Sequence, residues 1–131
     1  MDESSIIDID DTGIYIAYPM SPVLKSIYPP KNYKTQVNDQ HTKVGKAECF
    51  KSRKKEYLTS FHNEVTFIPI ARVPRKQLEL AEEKILDAVH DCFKRVGRAK
   101  EWFKTTDRER IAKIIEETLS ACCIPHELIS Q

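Results

Sequence analysis

The stretch Thr42-Lys43-Val44-Gly45-Lys46-Ala47-Glu48-Cys49-Phe50-Lys51-Ser52-Arg53-Lys54-Lys55-Glu56-Tyr57 constrains this chain more than any other. It opens as a short strand, reaches a glycine that permits a tight turn or a close backbone approach, and continues as a helix. Arg53 stands eight residues beyond Gly45, and Tyr57 four beyond Arg53. A strand leading through a glycine into a helix commits the chain to a mixed α and β fold. Upstream, Gly13-Ile14-Tyr15-Ile16-Ala17-Tyr18 is a second β-branched and aromatic run and reads as a partner strand.

The remaining elements follow from pattern and punctuation. A helix over 49–61 puts Phe50, Tyr57 and Phe61 on one face, with Lys54 nearer its apolar centre than Arg53. Residues 64–73 read as a third strand, in which Pro69 marks an edge or a bulge. Pro74 suits the first turn of a helix running to about Val96. A short extended piece follows around Glu101-Trp102-Phe103. Thr106-Asp107-Arg108-Glu109 has capping-box spacing and opens a last helix, with Ile111, Ile114, Ile115, Leu119 and Cys122 as its apolar stripe. The order β-β-α-β-α-(β)-α predicts an α+β fold, a small and mostly antiparallel three-stranded sheet flanked by helices. Residues 1–131 make one domain, with an acidic segment over 1–11 and a long, proline-rich loop over 19–41.

Bulk properties narrow the class. Apolar residues at 40% and charged residues at 31% fit a globular domain. No apolar run approaches the roughly 20 residues of a membrane span, and residues 1–5 lack the pattern of a signal peptide. Cys49, Cys92, Cys122 and Cys123 read as reduced thiols of a cytoplasmic protein, and no CxxC pair supports zinc. The net charge of +1 conceals an uneven distribution. Five acids and no Lys or Arg occur in the first 24 residues, whereas 43–57 carries six basic residues against two acids. Such a cluster suits phosphate contact as well as a solvated face.

One residue breaks the apolar pattern. On the helix from 74 to 96, Leu78, Ile85, Val89, Cys92, Phe93 and Val96 form a stripe, and Glu82 falls inside it while Glu83 lies off it. A carboxylate on a core-facing stripe must be paired, protonated or bound to a cation, because burying it alone is costly. An edge position that reaches solvent or a lysine satisfies the same requirement. Glu83 is the second choice for a ligand.

Gly13-Ile14-Tyr15, Lys43-Val44-Gly45, Arg53, Tyr57 and a helix glutamate followed at plus three and plus four by Ile85 and Leu86 resemble the GIY-YIG nuclease superfamily. The block around 43–57 looks most like the nuclease domain of the bacterial excision-repair incision enzyme. The segment 97–103, ending Glu101-Trp102-Phe103, resembles the superfamily's phage-type branch. The resemblance implies a metal-dependent DNA endonuclease that hydrolyses phosphodiester bonds with one divalent ion, Mg2+ or Mn2+. By that resemblance Glu82 holds the metal, Arg53 neutralises charge on the phosphate, Tyr15 orients the water or takes its proton, and Tyr57 supports the site. Lys43 stands where the superfamily usually carries tyrosine, and would contact the scissile phosphate or help activate water. Lys46, Lys51, Lys54 and Lys55 are the expected DNA contacts. In the 19–41 loop, Lys25, Lys31 and Lys34 supply charge, and Tyr28 and Tyr33 supply rings for bases. Two further readings stay open: a fold of this kind that binds DNA without cutting it, and a protein-interaction domain. The partner is DNA, no membrane is implied, and the oligomeric state is left open.

Overall fold

The computed structural model describes residues 11–27 and 35–129. The chain is α+β. A five-stranded antiparallel sheet has the order β6-β4-β1-β5-β7, built from β1 (Gly13–Pro19), β4 (Thr42–Ala47), β5 (Val65–Arg72), β6 (Trp102–Phe103) and β7 (Glu127–Leu128). A separate two-stranded ribbon pairs β2 (Lys25–Ser26) with β3 (Gln36–Val37). Among the described residues three helices cover the sheet: α1 (Phe50–Ser60), α2 (Arg75–His90) and α3 (Arg108–Ala121).

The expected three strands are the centre of this sheet, and two-residue strands extend it at both edges. β6 falls on the extended piece expected around Glu101-Trp102-Phe103, whereas β7, also two residues long, carries too little periodicity to be read from sequence. The expected loop over 19–41 contains the β2–β3 ribbon, so it is not irregular throughout. Tyr28, Lys31, Tyr33 and Lys34, proposed there as DNA contacts, lie outside the described residues, as does the acidic segment except Asp11.

β1 is the central strand and is buried on both faces, which is why it reads as a nearly continuous apolar run. Its alternate side chains divide the core. Ile14 and Ile16 pack with Val44, Ile70, Ile85, Ile111, Ile115 and Leu119 under α2 and α3. Tyr15 and Ala17 face the opposite way and pack with Phe50, Tyr57, Phe61, Phe67 and Trp102 beneath α1. The β1–β5 register shifts between Ile14 and Tyr15, which pair with Ala71 and Pro69, so Pro69 sits at a bulge.

Several boundaries differ from expectation for local reasons. α3 is capped by Asp107, whose carboxylate accepts from the Arg110 amide at 3.0 Å, not by Thr106. α2 ends at His90, so the turn beyond it leaves Cys92 exposed while Phe93 stays partly buried. Cys122 lies past the last turn of α3 and is likewise exposed. On α1, Lys54 is exposed and Arg53 half-buried, the reverse of the wheel expectation. Only Phe50 and Tyr57 of this helix are buried, so its packing is set by two aromatic anchors.

Candidate functional site

The sheet edge beside α2 sets up the site. β6 pairs with β4 only at Thr42 and Lys43, after which the outer edge of β4 is left to other partners. The next two outward amides are those of Val44 and Lys46. Val44 donates to the Glu101 carbonyl at 2.9 Å, and Lys46 donates to the Glu82 carboxylate at 3.1 Å. Glu82 therefore sits at a strand edge and meets a lysine, the edge alternative that its place on the stripe left open. The Lys46 ammonium adds a contact to the same carboxylate at 3.4 Å.

Lys43 points to the other face of the sheet, where it is 4% exposed. Its ammonium meets the Glu101 carboxylate at 2.6 Å and lies 5.8 Å from the centre of the Tyr57 ring. The Tyr15 and Tyr57 hydroxyls share a hydrogen bond of 2.9 Å, and their rings meet edge to face. Gly45 makes room for this pair: a Cβ there would lie 2.7 Å from the Tyr15 hydroxyl. Arg53, one turn before Tyr57 on α1, acts electrostatically on both phenols and contacts Glu56 at 3.5 Å.

Tyr15, Tyr57, Lys43, Glu101, Glu82 and Lys46 thus form a continuous polar chain around the edge of β4. Tyr15 and Tyr57 are buried, so they stand behind the open surface and do not line it as a cleft wall. The surface opening lies beside Glu82, in a cavity of about 470 Å³ whose lining includes Lys46, Glu82, Glu83, Arg95 and Lys100. Glu83 is exposed there and lacks the strand-edge contact of Glu82. Lys51, Lys54 and Lys55 are exposed on the outer side of α1.

The electrostatics divide the two carboxylates. Burial, then the charge of Glu101 and a hydrogen bond to it, push the Glu82 carboxyl up to about 7, against the pull of Lys46. Burial acts in the same direction on Glu101, but Lys43, the hydrogen bond with Glu82 and Lys46 outweigh it and hold that carboxyl below its usual range. Burial raises both tyrosines well above the ordinary phenol value. At neutral pH the Tyr15 hydroxyl keeps its proton and, buried behind the surface, is not placed to take one from water.

A stability prediction follows for Glu82. The folded chain holds a proton up to about pH 7 that an unfolded glutamate, with an ordinary value of 4.5, gives up earlier. The contribution is therefore complete below about pH 4.5 and is lost as pH rises through 7. Urea unfolding from pH 5 to 8 should show the wild type losing on the order of 2 kcal/mol relative to Glu82→Gln. Parallel curves for the two proteins would refute the assignment. A second prediction concerns Gly45→Ala. The added methyl must displace the Tyr15 ring, breaking the 2.9 Å hydroxyl contact while the sheet remains paired. The substitution should lower stability by about 1–3 kcal/mol. In a crystal structure of the variant the two hydroxyls should stand more than hydrogen-bond distance apart.

The fold and this edge site define a small α+β domain with a buried tyrosine–lysine–glutamate chain. The family model of the T5orf172 domain matches residues 14–119, and the chain belongs to that family. The expected membership of the GIY-YIG superfamily, in its phage-type branch, is corrected by this match. The short motifs that suggested it, a glycine-aromatic strand and a strand–glycine–helix turn, answer to packing demands that a different family meets as well. Lys43 in the tyrosine position and the long segment between the two strands were the departures. No curated protein and no solved structure matches the chain.

In the sequence Glu101 stands only as the start of an extended piece leading into Trp102 and Phe103, and nothing local marks the distant Lys43 as its partner.

Proposed function

We propose that this domain is a metal-dependent DNA endonuclease that hydrolyses phosphodiester bonds with Mg2+ or Mn2+. The observation that carries this reading is the meeting of Glu82 and Glu101 at the edge of β4, beside the buried Lys43 and the tyrosine pair. Ionisable groups held at this depth are costly to folding, and perturbed carboxyls gathered at an opening are typical of working sites.

The donor set suits a hard divalent cation. Glu82 is a carboxylate whose ionisation is opposed by burial and by its neighbour Glu101, a conflict that a bound cation relieves. Such ions take one or two carboxylates and complete their shell with water and phosphate oxygens. Glu82 would hold the ion, which when bound supplies positive charge to the phosphate and to the departing oxygen. The protein's own groups do the rest. Arg53 offers a guanidinium to the charge that develops on the phosphate. Tyr15, buried and hydrogen-bonded to Tyr57, backs the site and fixes the ring that the Lys43 ammonium meets. Lys43 places an ammonium between the tyrosines and Glu101. Lys51, Lys54 and Lys55 on α1, with Lys46, give flanking phosphates a basic surface. The same reading places the protein in a reducing cytoplasm, as suits the exposed free thiols of Cys92, Cys122 and Cys123.

A second reading, a DNA-binding module without cleavage, is favoured by one observation. Both carboxylates already meet ammonium groups, Lys43 on Glu101 and Lys46 on Glu82. Incubating supercoiled plasmid with the protein and Mn2+, with an EDTA control, separates the two. Metal-dependent nicking is the expected result. Salt-sensitive binding with intact plasmid would establish the second reading, and neither binding nor nicking would defeat both.

A further inference from the structure

We propose that Glu101 is a positioning residue of this site, holding the Lys43 ammonium against the tyrosine pair and tying it to Glu82 around the edge of β4. The inference rests on the proposed cleavage for its catalytic meaning, but its geometric content stands apart from it. Lys43 is a lysine 4% exposed, and a buried ammonium needs a carboxylate within contact. Glu101 supplies that contact at 2.6 Å.

Glu101 is well placed for this task. Its own backbone carbonyl accepts from the Val44 amide at 2.9 Å, so the residue is tied to the strand that carries Lys43. Trp102, the next residue, is the register partner of Lys43 and is 1% exposed, which anchors β6 on the same face as Tyr57 and Phe61. The Glu101 side chain is one-third exposed and also hydrogen-bonds the Glu82 carboxyl, so it touches both Lys43 and Glu82. Losing the Glu101 charge leaves the Lys43 ammonium buried without a carboxylate, a costly state that swinging towards solvent relieves. That swing removes it from its place against the tyrosine pair. Displacement of this kind affects the reaction more than the binding of DNA, because the flanking lysines of α1 are untouched.

The test uses the full chain with Glu101→Gln, Glu101→Asp, Lys43→Met and the Lys43→Met/Glu101→Gln double variant. Two readouts are needed. The first is labelling of lysines by trinitrobenzenesulfonate, followed by peptide mass analysis, with thermal melting as the control for folding. Lys43 should label at least about tenfold faster in Glu101→Gln than in wild type, with Glu101→Asp between them, while Lys54 and Lys55 label equally in all. The second is plasmid nicking with Mn2+ under saturating and limiting protein. Glu101→Gln should lower the rate at saturation by about 100-fold and change DNA affinity less than about twofold. Combined with Lys43→Met it should add little, because the two side chains act as one unit. Unchanged Lys43 labelling in a folded Glu101→Gln variant overturns the proposal. So does a normal nicking rate in that variant when Lys43→Met is impaired. If wild type itself never nicks, the endonuclease reading fails, and the labelling result still decides whether Glu101 positions Lys43. Should Glu101→Gln not fold, Glu101→Asp carries the labelling comparison, and wild-type labelling there overturns the proposal.

Discussion

Replacing Glu82 by alanine is expected to abolish metal-dependent plasmid nicking, and replacing Arg53 by alanine to slow it by about 100-fold to 1000-fold. The two effects have different origins. Glu82 is the carboxylate held against the Lys46 amide and ammonium at the opening of the site. Its loss removes the group proposed to hold the ion, so added Mn2+ should no longer restore the rate. Arg53 lies on the α1 side, next to the phenols, where its charge can reach a phosphate without holding the metal. Its variant should therefore still respond to Mn2+, with the same concentration dependence but a lower plateau. Stability should separate the two further. Arg53 is half-exposed on a helix, so Arg53→Ala should change unfolding by less than about 1 kcal/mol. Nicking by Glu82→Ala at the wild-type rate would remove this residue from the site. A normal rate for Arg53→Ala would leave the tyrosine pair without the cation assigned to it.

The parts of the fold legible in the sequence were those with long periodic signals. β1, β4, β5 and the stripes of α2 and α3 emerge from apolar spacing, and Glu82 was visible as a charge inside such a stripe. What the pattern could not supply was the neighbour of that charge. Glu82 meets the amide and ammonium of Lys46 at a sheet edge, and the edge exists because β6 is only two residues long. Tyr15 and Tyr57 were named as site residues, yet whether they faced solvent depended on how α1 lies over the sheet. That packing is fixed by the anchors Phe50 and Tyr57 meeting Phe61 and Phe67. Lys43 and Glu101 are 58 residues apart in the chain and meet through strand pairing, which no local pattern encodes. The family resemblance fails for a related reason. Short glycine and aromatic motifs report what a strand beside a helix must satisfy, and several families satisfy it alike.

The largest stability effect is expected from Gly13→Ala. Gly13 begins β1 and pairs with Ala47 on one side and Arg72 on the other, so its backbone is held from both directions. A Cβ at this position would overlap the Ala71 carbonyl oxygen and meet the Phe50 ring at 2.9 Å. The first contact is with backbone, which cannot rotate away. Relief requires β1 and β5 to part where the bulge between Ile14 and Tyr15 already offsets their register. It also pushes on Phe50, the first aromatic anchor of α1, and so on the helix that carries Arg53 and Tyr57. Overpacking commonly costs 1–3 kcal/mol where side chains can yield, and a backbone clash in a central strand belongs at or beyond the top of that range. A loss of about 3 kcal/mol or more should lower the melting temperature by more than about 10 °C. Gly45→Ala is the internal comparison, since its added methyl meets the end of a tyrosine side chain and the strand pairing can survive. Scanning calorimetry on both variants should therefore show Gly13→Ala melting well below Gly45→Ala. Equal melting temperatures would mean that β1 and β5 separate more easily at Gly13 than their pairing implies.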